Sequence, residues 1–247
     1  MRNRTGKNIA QMVKQWLRGR RPDKYNSTVG EVHFGSLRRV TPISREWGFD
    51  RGLPIDRYYI ENFLERYTAD VQGRVLEIGD NSYTRRFGGT RVIMSDVLHV
   101  TEGNPKATII ADLSSADSIS SNTFDCVILV QTLQLIYDVR EAVKTIYRIL
   151  KPGGVLLATF PGISQTYDQE WSDSWCWSFT TVSARRLFEE VFSTPNVKIE
   201  AFGNVLTAIS FLHGLAVQEL SREELDYYEP GYEVTITVKT VKPHVSL

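Results

Sequence analysis

Short apolar runs alternate with amphipathic stretches along the middle of this chain. The runs occupy Arg74–Ile78, Arg91–Asp96, Ala107–Ala111, Phe124–Val130 and Val155–Phe160. Each has strand length and is bounded by polar, Gly or Pro residues, so each reads as a buried strand. Between them lie helical patterns. Pro54-Ile55-Asp56-Arg57 opens one, with Pro54 suited to an early helical position and Asp56 to the positive end of the dipole. Its apolar stripe is Tyr59, Ile60, Phe63, Leu64 and Tyr67. A second runs from Asp138 to about Leu150. Asp138 and Glu141 give it a capping-box-like start, and Lys151-Pro152-Gly153-Gly154 a stop. A third spans Ser183–Phe192. Strands and helices alternating at these lengths predict a parallel sheet covered on both faces.

The last third departs from that rhythm. Asn196–Phe202 reads as a strand. Val205–Leu220 is an apolar insertion of helix length, and Ser221-Arg222-Glu223-Glu224 starts a short helix. Glu233–Lys242 sets Val234, Ile236 and Val238 against Thr235, Thr237 and Lys239. That alternation predicts a strand near a sheet edge with one wetter face. The expected fold is therefore α/β. Its domain layout is an extension over residues 1–53 and one main domain over 54–247, with a helical insertion near 204–231.

The extension begins with a basic stretch whose single acid is Asp23. Within it Ile9, Met12, Val13, Trp16 and Leu17 recur at helical spacing. Such a helix packs on its own domain or on a second copy in a homodimer. Docking to a membrane surface or an acidic partner is the other reading. Residues 22–54 are irregular, with a short strand expected at Glu31–Phe34.

Charge and cysteines narrow the function. With 29 basic and 29 acidic residues in 247, the net charge is zero, so no global field or basic groove draws in nucleic acid. Cys126 and Cys176 belong to no CxxC pair or His/Cys cluster, so neither a metal site nor a disulfide framework is expected. The apolar runs fall short of a membrane span and the N-terminus lacks a signal-peptide core, so a cytoplasmic location is expected.

Candidate ligand chemistry gathers at three acids, Glu77, Asp96 and Asp112, at or just after the ends of successive runs. In a doubly wound sheet those ends line one crevice. Gly79 permits a sharp turn and close approach of a ligand. Asp96 follows it by 17 residues, close to the spacing of about 20 at which an acid meets a ribose. Asp112 lies one strand further out, where it can accept from an exocyclic amine, with the Leu113 N–H facing a ring nitrogen. A dinucleotide site needs G-x-G-x-x-G, but Asn81 and Tyr83 stand where later glycines would. Glu77 and Asp80 would repel a pyrophosphate and tolerate an amino group and a sulfonium.

Five motifs recur here in family order: Val75-Leu76-Glu77-Ile78-Gly79, Asp96, Ala111-Asp112-Leu113, Phe124–Leu129 and Arg148–Gly154. On these, the chain from about Asp56 to Lys242 resembles the class I S-adenosylmethionine-dependent methyltransferases. The resemblance implies a Rossmann-like doubly wound, mostly parallel seven-stranded sheet with an antiparallel C-terminal strand. It implies S-adenosyl-L-methionine as cofactor. Glu77 and Gly79 would frame its methionine part, with Asp80 beside them, and Asp96 its ribose. Asp112 and Leu113 would hold the adenine, and Gln131 would face the methionine or the acceptor. Tyr58 and Tyr59 would cover the cofactor. The loop Asp80-Asn81-Ser82-Tyr83 departs from the small residues usual there.

The expected reaction is methylation of a small-molecule or glycan acceptor, at a hydroxyl. A base is expected after the fourth or fifth strand, where Asp168 is the candidate, near Glu170 and Asp173. His99 and His213 are less well placed. Trp171, Trp175 and Trp177 form either a stacking wall for the acceptor or a packed lid, and Trp47, Phe49, Arg51 and Arg57 close the other side. A non-catalytic S-adenosylmethionine-binding partner protein and an NAD-dependent sugar-modifying enzyme are the rival readings.

Overall fold

The computed structural model describes residues 28–166 and 172–244. The basic helical pattern at 9–17, together with Asp168, Glu170 and Trp171, lies outside the described residues. The chain divides into two compact units, Met1–Val40 and Thr41–Leu247. In the first, the described residues carry a single 3-10 turn at Gly35–Leu37 and no strand at 31–34.

The second unit is built on one sheet. Its strands are β1 Gly73–Ile78, β2 Val92–His99, β3 Ile109–Ile110, β4 Phe124–Val130, β5 Leu150–Pro161, β6 Val197–Phe202 and β7 Thr235–Val241. The helices are α1 Ile55–Arg66, α2 Val139–Ile149, α3 Thr181–Phe192, α4 Val205–Leu212 and α5 Arg222–Asp226. The seven strands lie in the order β3-β2-β1-β4-β5-β7-β6. β1 to β5 pair in parallel, and β7 is antiparallel to both β5 and β6. This is the doubly wound sheet with an antiparallel last strand that the sequence predicts.

Alternation along the central strands assigns their faces. Val75, Cys126, Ile128 and Leu157 pack with Ile60, Phe63 and Leu64 of α1. Leu76, Val127, Leu129 and Leu156 pack on the other side with Ile146 of α2 and Phe188 of α3. Helices on both faces explain why the strands are near-continuous apolar runs. α3 starts on a reciprocal cap between Thr180 and Ser183, and α5 on one between Ser221 and Glu224. The Asp138 side chain, by contrast, makes no cap bond to α2.

Four elements differ from the sequence expectation. β2 runs three residues beyond Asp96. β3 shrinks to two residues, because the loop after it is held by side chains: Arg148 of α2 donates to the Ala116 carbonyl at 2.7 Å and to the Ile119 carbonyl. α4 ends at Leu212, and the chain then turns through Gly214 to a 3-10 turn at Val217–Glu219. β7 is not at the edge; it sits between β5 and β6, with Thr235, Thr237 and Thr240 buried. Its threonines read as a wet face but are covered by neighbours distant in sequence.

The main unit also takes in residues 41–53. Ile43 and Ser44 N–H donate to the His213 carbonyl at 2.9 and 3.0 Å, and Val217 N–H donates to Leu53 at 2.8 Å. This segment and the insertion thus brace one another beside the N-terminus of α1, where Ile55 and Tyr59 pack with Ala208, Phe211 and Leu225.

Phe160 of β5 is fully buried, with its ring centroid 4.7 Å from Phe179 and 6.1 Å from Phe188. Phe160→Ala is expected to lower unfolding stability by about 3–5 kcal/mol, read as a lower midpoint in urea with an unchanged slope.

Candidate functional site

Strand order reverses between β1 and β4. β1 connects outward to β2, and the chain returns on the other side of β1 as β4. Loops leaving the two strands diverge, and a crevice opens at the carboxyl ends. A cavity of about 680 Å³ lies there, within the size range of small-molecule sites. Its walls fall into two groups. Ile78, Leu98, His99, Val100, Ala111, Asp112, Leu113 and Ser114 come from the ends of β1, β2 and β3. Trp47, Phe49, Asp56, Arg57, Gln134, Pro161 and Trp175 come from the N-terminus of α1 and the loops after β4 and β5. Gln131 lies where the groups meet.

Asp112, Leu113 and Gln131 line this cavity as expected. Asp112 Oδ1 accepts from the Ser114 N–H and hydroxyl, each at 2.8 Å. Its Oδ2 has no partner among the described residues. Gln131 holds a left-handed backbone, φ 47°, while its N–H donates to Thr159 of β5 at 2.9 Å. A non-glycine residue in that region carries strain, and such strain collects at functional sites.

Asp96 is placed elsewhere. It pairs with Leu76 in mid-strand, and its Oδ2 is 2.7 Å from Arg74 Nε. Thr108 Oγ1 donates to its other oxygen at 3.2 Å. The strand end belongs instead to His99, which lines the cavity 20 residues after Gly79. Its Nδ1 is 2.8 Å from the Thr101 carbonyl oxygen. An acid inside a buried strand looked like a strand end because its partner, Arg74, is remote in sequence.

Glu77 is buried behind the cavity wall. Its two oxygens accept from the Tyr83 and Thr84 N–H groups at 3.2 and 2.7 Å. These belong to the turn that runs into a short π-helical segment at Thr84–Gly88. Burial raises the Glu77 pKa, opposed by the Thr84 and Tyr83 donors. Gly79 has φ 82°, and a Cβ there would meet nothing within 4 Å; its N–H donates to the Leu98 carbonyl at 2.9 Å and its carbonyl accepts from Asn104 Nδ2 at 2.6 Å. Asp80 accepts from Ser82 N–H at 2.9 Å and faces Lys106 at 3.5 Å. Burial pushes its pKa up, but the Ser82 donors and Lys106 outweigh this, and the net shift is downward.

Tyr59 is core rather than cover: its ring stacks on Phe202 at 5.6 Å and its hydroxyl donates to the Leu225 carbonyl at 2.9 Å. Desolvation pushes its phenol to about 12. Tyr58 donates to Asp226 at 2.6 Å. The tryptophans divide. Trp175 lines the cavity, whereas Trp177 donates to the Ile136 carbonyl at 3.0 Å and stacks on Tyr137.

Asp56 and Gln134 are among the cavity residues that the sequence reading did not assign to the site. Asp56 looked like an ordinary acid at a helix start, and Gln134 lies in a short 3-10 turn between two leucines with no periodic signal.

Comparison with known proteins adds to this geometry. Residues 91–158, from the lead into β2 to the body of β5, match the family model described as "Methyltransferase domain". The match spans about a quarter of the chain and indicates similarity to the class I S-adenosylmethionine-dependent methyltransferases. A ubiquinone/menaquinone biosynthesis C-methyltransferase of Haemophilus ducreyi is 33% identical over 106 residues. That match covers 40% of this chain and 35% of the relative, so it spans about a third of that protein's length. A methyltransferase structure from Archaeoglobus fulgidus superposes with a TM-score of 0.52 at 15% identity, covering 75% of this chain and 94% of that one. Phosphoethanolamine N-methyltransferase 2 of Haemonchus contortus, solved with S-adenosyl-L-methionine, gives 0.51 at 16% identity, covering 76% of this chain and 53% of that one. At these identities the structures speak for the fold alone. Among the described residues, no group of His, Cys, Asp and Glu is arranged to hold a metal ion, and no helix is long and apolar enough to cross a membrane.

If the Gln131 strain serves ligand binding and not folding, Gln131→Gly should leave stability unchanged or raise it by up to about 1 kcal/mol. Thermal unfolding of the wild type and its variant measures this.

Proposed function

We propose that this chain transfers the methyl group of S-adenosyl-L-methionine to a hydroxyl of a sugar or other small molecule, in glycan or natural-product biosynthesis. The observation that carries the reading is the cavity at the β1/β4 switch point, with its two chemically different halves. One half has an exposed carboxylate, a neighbouring N–H and flat apolar walls, which suit an adenosine. The other has aromatic rings and buried polar groups, which suit a ring-bearing acceptor.

The residues present fit the cofactor. Asp112 Oδ2 would accept from the adenine amine, and the Leu113 N–H would donate to its ring edge. Leu98 and Val100 would flank the base. His99 stands where the ribose acid was expected, with Nε2 turned to no partner among the described residues. Gly79, which presents no side chain, and the polar Gln131 would frame the methionine part. Bound there, the cofactor supplies a methyl carbon activated by its sulfonium. What remains for the protein is to align the acceptor in line with that carbon and to exclude water. Trp47, Phe49 and Trp175 do so by walling the acceptor half, and Arg57, placed 5.9 Å from the Phe49 ring centroid, narrows its entrance.

The two named relatives methylate through carbon and nitrogen, so the hydroxyl assignment rests on this chain's own acceptor half. A small-molecule or glycan acceptor fits a cavity of about 680 Å³.

Calorimetry with S-adenosylhomocysteine should show saturable binding to the wild type and none with NAD. Asp112→Asn is expected to weaken that binding about tenfold, ~1.4 kcal/mol. Asp96→Asn should change it by less than about threefold, because Asp96 faces Arg74. Loss of binding in Asp96→Asn with Asp112→Asn unaffected would reverse the two roles.

A further inference from the structure

Asp56 is the second residue of α1, yet it does not behave as an acid at a helix start. Such acids normally sit in water beside the free N–H groups. Asp56 is only 8% exposed and forms part of the cavity wall. The helix-start N–H groups of Asp56 and Arg57 face its carboxylate. Its Oδ1 has no hydrogen-bond partner among the described residues. Its Oδ2 lies 3.9 Å from Arg57 Nε, too far for a hydrogen bond. A buried carboxylate left in this state costs stability, so its persistence needs another explanation.

Two more buried polar atoms in the same wall have no partner among the described residues: Gln134 Oε1 and Trp175 Nε1. All three come from the N-terminus of α1 and the loops after β4 and β5. Two acceptors and one donor, buried and unpaired around one space, form the complement of a ligand that carries hydroxyls. On this arrangement we infer that Asp56 is the catalytic base of the methyl transfer, holding the acceptor hydroxyl and taking its proton. The inference rests on the methyl-transfer reading above.

The step balances. A lone pair of the acceptor oxygen forms the new C–O bond to the methyl carbon. The C–S bond breaks, and its electron pair stays on sulfur, which loses its positive charge. The hydroxyl proton passes to Asp56 Oδ1 and leaves to solvent when the product departs. Gln134 Oε1 and Trp175 Nε1 hold other polar groups of the acceptor and fix its orientation. Burial raises the Asp56 pKa above the ordinary carboxylate value, opposed by Arg57 and by backbone N–H groups. That shift brings the base closer to neutral pH, where it is more effective. The charged and titratable groups around it are Arg57 and Glu61 on α1 and Tyr83 on the turn after β1, whose hydroxyl lies 3.5 Å from Arg57.

The sign of the stability effect follows. With its pKa raised in the folded state, Asp56 stabilises the fold below its unfolded value of about 3.9. That contribution is lost as pH rises through the folded value. Asp56→Asn removes the loss and should melt no lower than the wild type at pH 7.

The test uses the full chain with tritiated S-adenosylmethionine. Acceptors are a panel of methyl glycosides of hexoses and 6-deoxyhexoses, together with a low-molecular-weight cell extract. Wild type should transfer label, at a rate that rises with pH as Asp56 ionises. Asp56→Asn should lose about 10²–10⁴-fold in rate, keep its S-adenosylhomocysteine affinity within about twofold, and show no such rise. Asp56→Glu should recover part of the rate. An Asn variant within about threefold of wild type would overturn the inference. So would a loss of rate that comes with a lower melting temperature and weaker S-adenosylhomocysteine binding, because that marks a structural role. A wild type that transfers no label to any acceptor overturns the methyl-transfer reading itself, and this inference with it.

Discussion

Everything in the main unit depends on β1 being hydrogen-bonded on both edges in parallel, to β2 on one side and β4 on the other. A parallel neighbour cannot be reached by a tight turn, so each connection must cross a face of the sheet. The crossing from β4 to β5 lays α2 on one face, where α3 joins it, and α1, which leads into β1, covers the other. The same constraint makes the loops after β1 and β4 leave in opposite directions. The cavity is therefore a consequence of topology before any particular side chain is considered.

Side chains then decide what the cavity accepts. Glu77 is turned inward to hold the Tyr83 and Thr84 N–H groups, which shapes the turn without glycines. Gly79 presents no side chain where the turn begins. On one side of Gln131 the wall offers Asp112 and the Leu113 N–H; on the other it offers aromatic rings and unpaired polar atoms. Residues 41–53 and the insertion around α4 pack beside the start of α1. That packing buries Asp56 and turns an ordinary helix-start acid into part of the cavity wall. One group of wall residues is thus assembled from segments distant in sequence, while the other comes from consecutive strand ends.

That difference explains what was legible in the sequence. β1, β4, α1 and α2 announced themselves through apolar period and length, and the order of motifs gave the doubly wound sheet. Asp112, Leu113 and Gln131 were legible as cavity residues because they follow strands directly. Asp96 was placed at a strand end because an acid in an apolar run usually ends it. Its mid-strand position depends on Arg74, 22 residues away, and pairing at that distance leaves no local signal. Tyr59 sits on the apolar stripe of α1 and is buried with it, so its helical spacing indicated core more truly than cofactor contact. β7 looked half-wet because threonine is polar, and only the presence of β6 beyond it shows otherwise. Asp56 and Gln134 acquire their meaning from burial alone.

As proposed, the cavity between the ends of β1 and β4 would hold S-adenosylmethionine in one half and leave the other for the acceptor. A crystal structure with S-adenosylhomocysteine tests it most directly. The adenine is expected between Leu98 and Leu113 with its amine at Asp112, and the sulfur near Gln131, facing the space walled by Asp56 and Trp175. Ligand density outside this cavity, or an adenine lodged among Trp47, Phe49 and Trp175, would contradict the account.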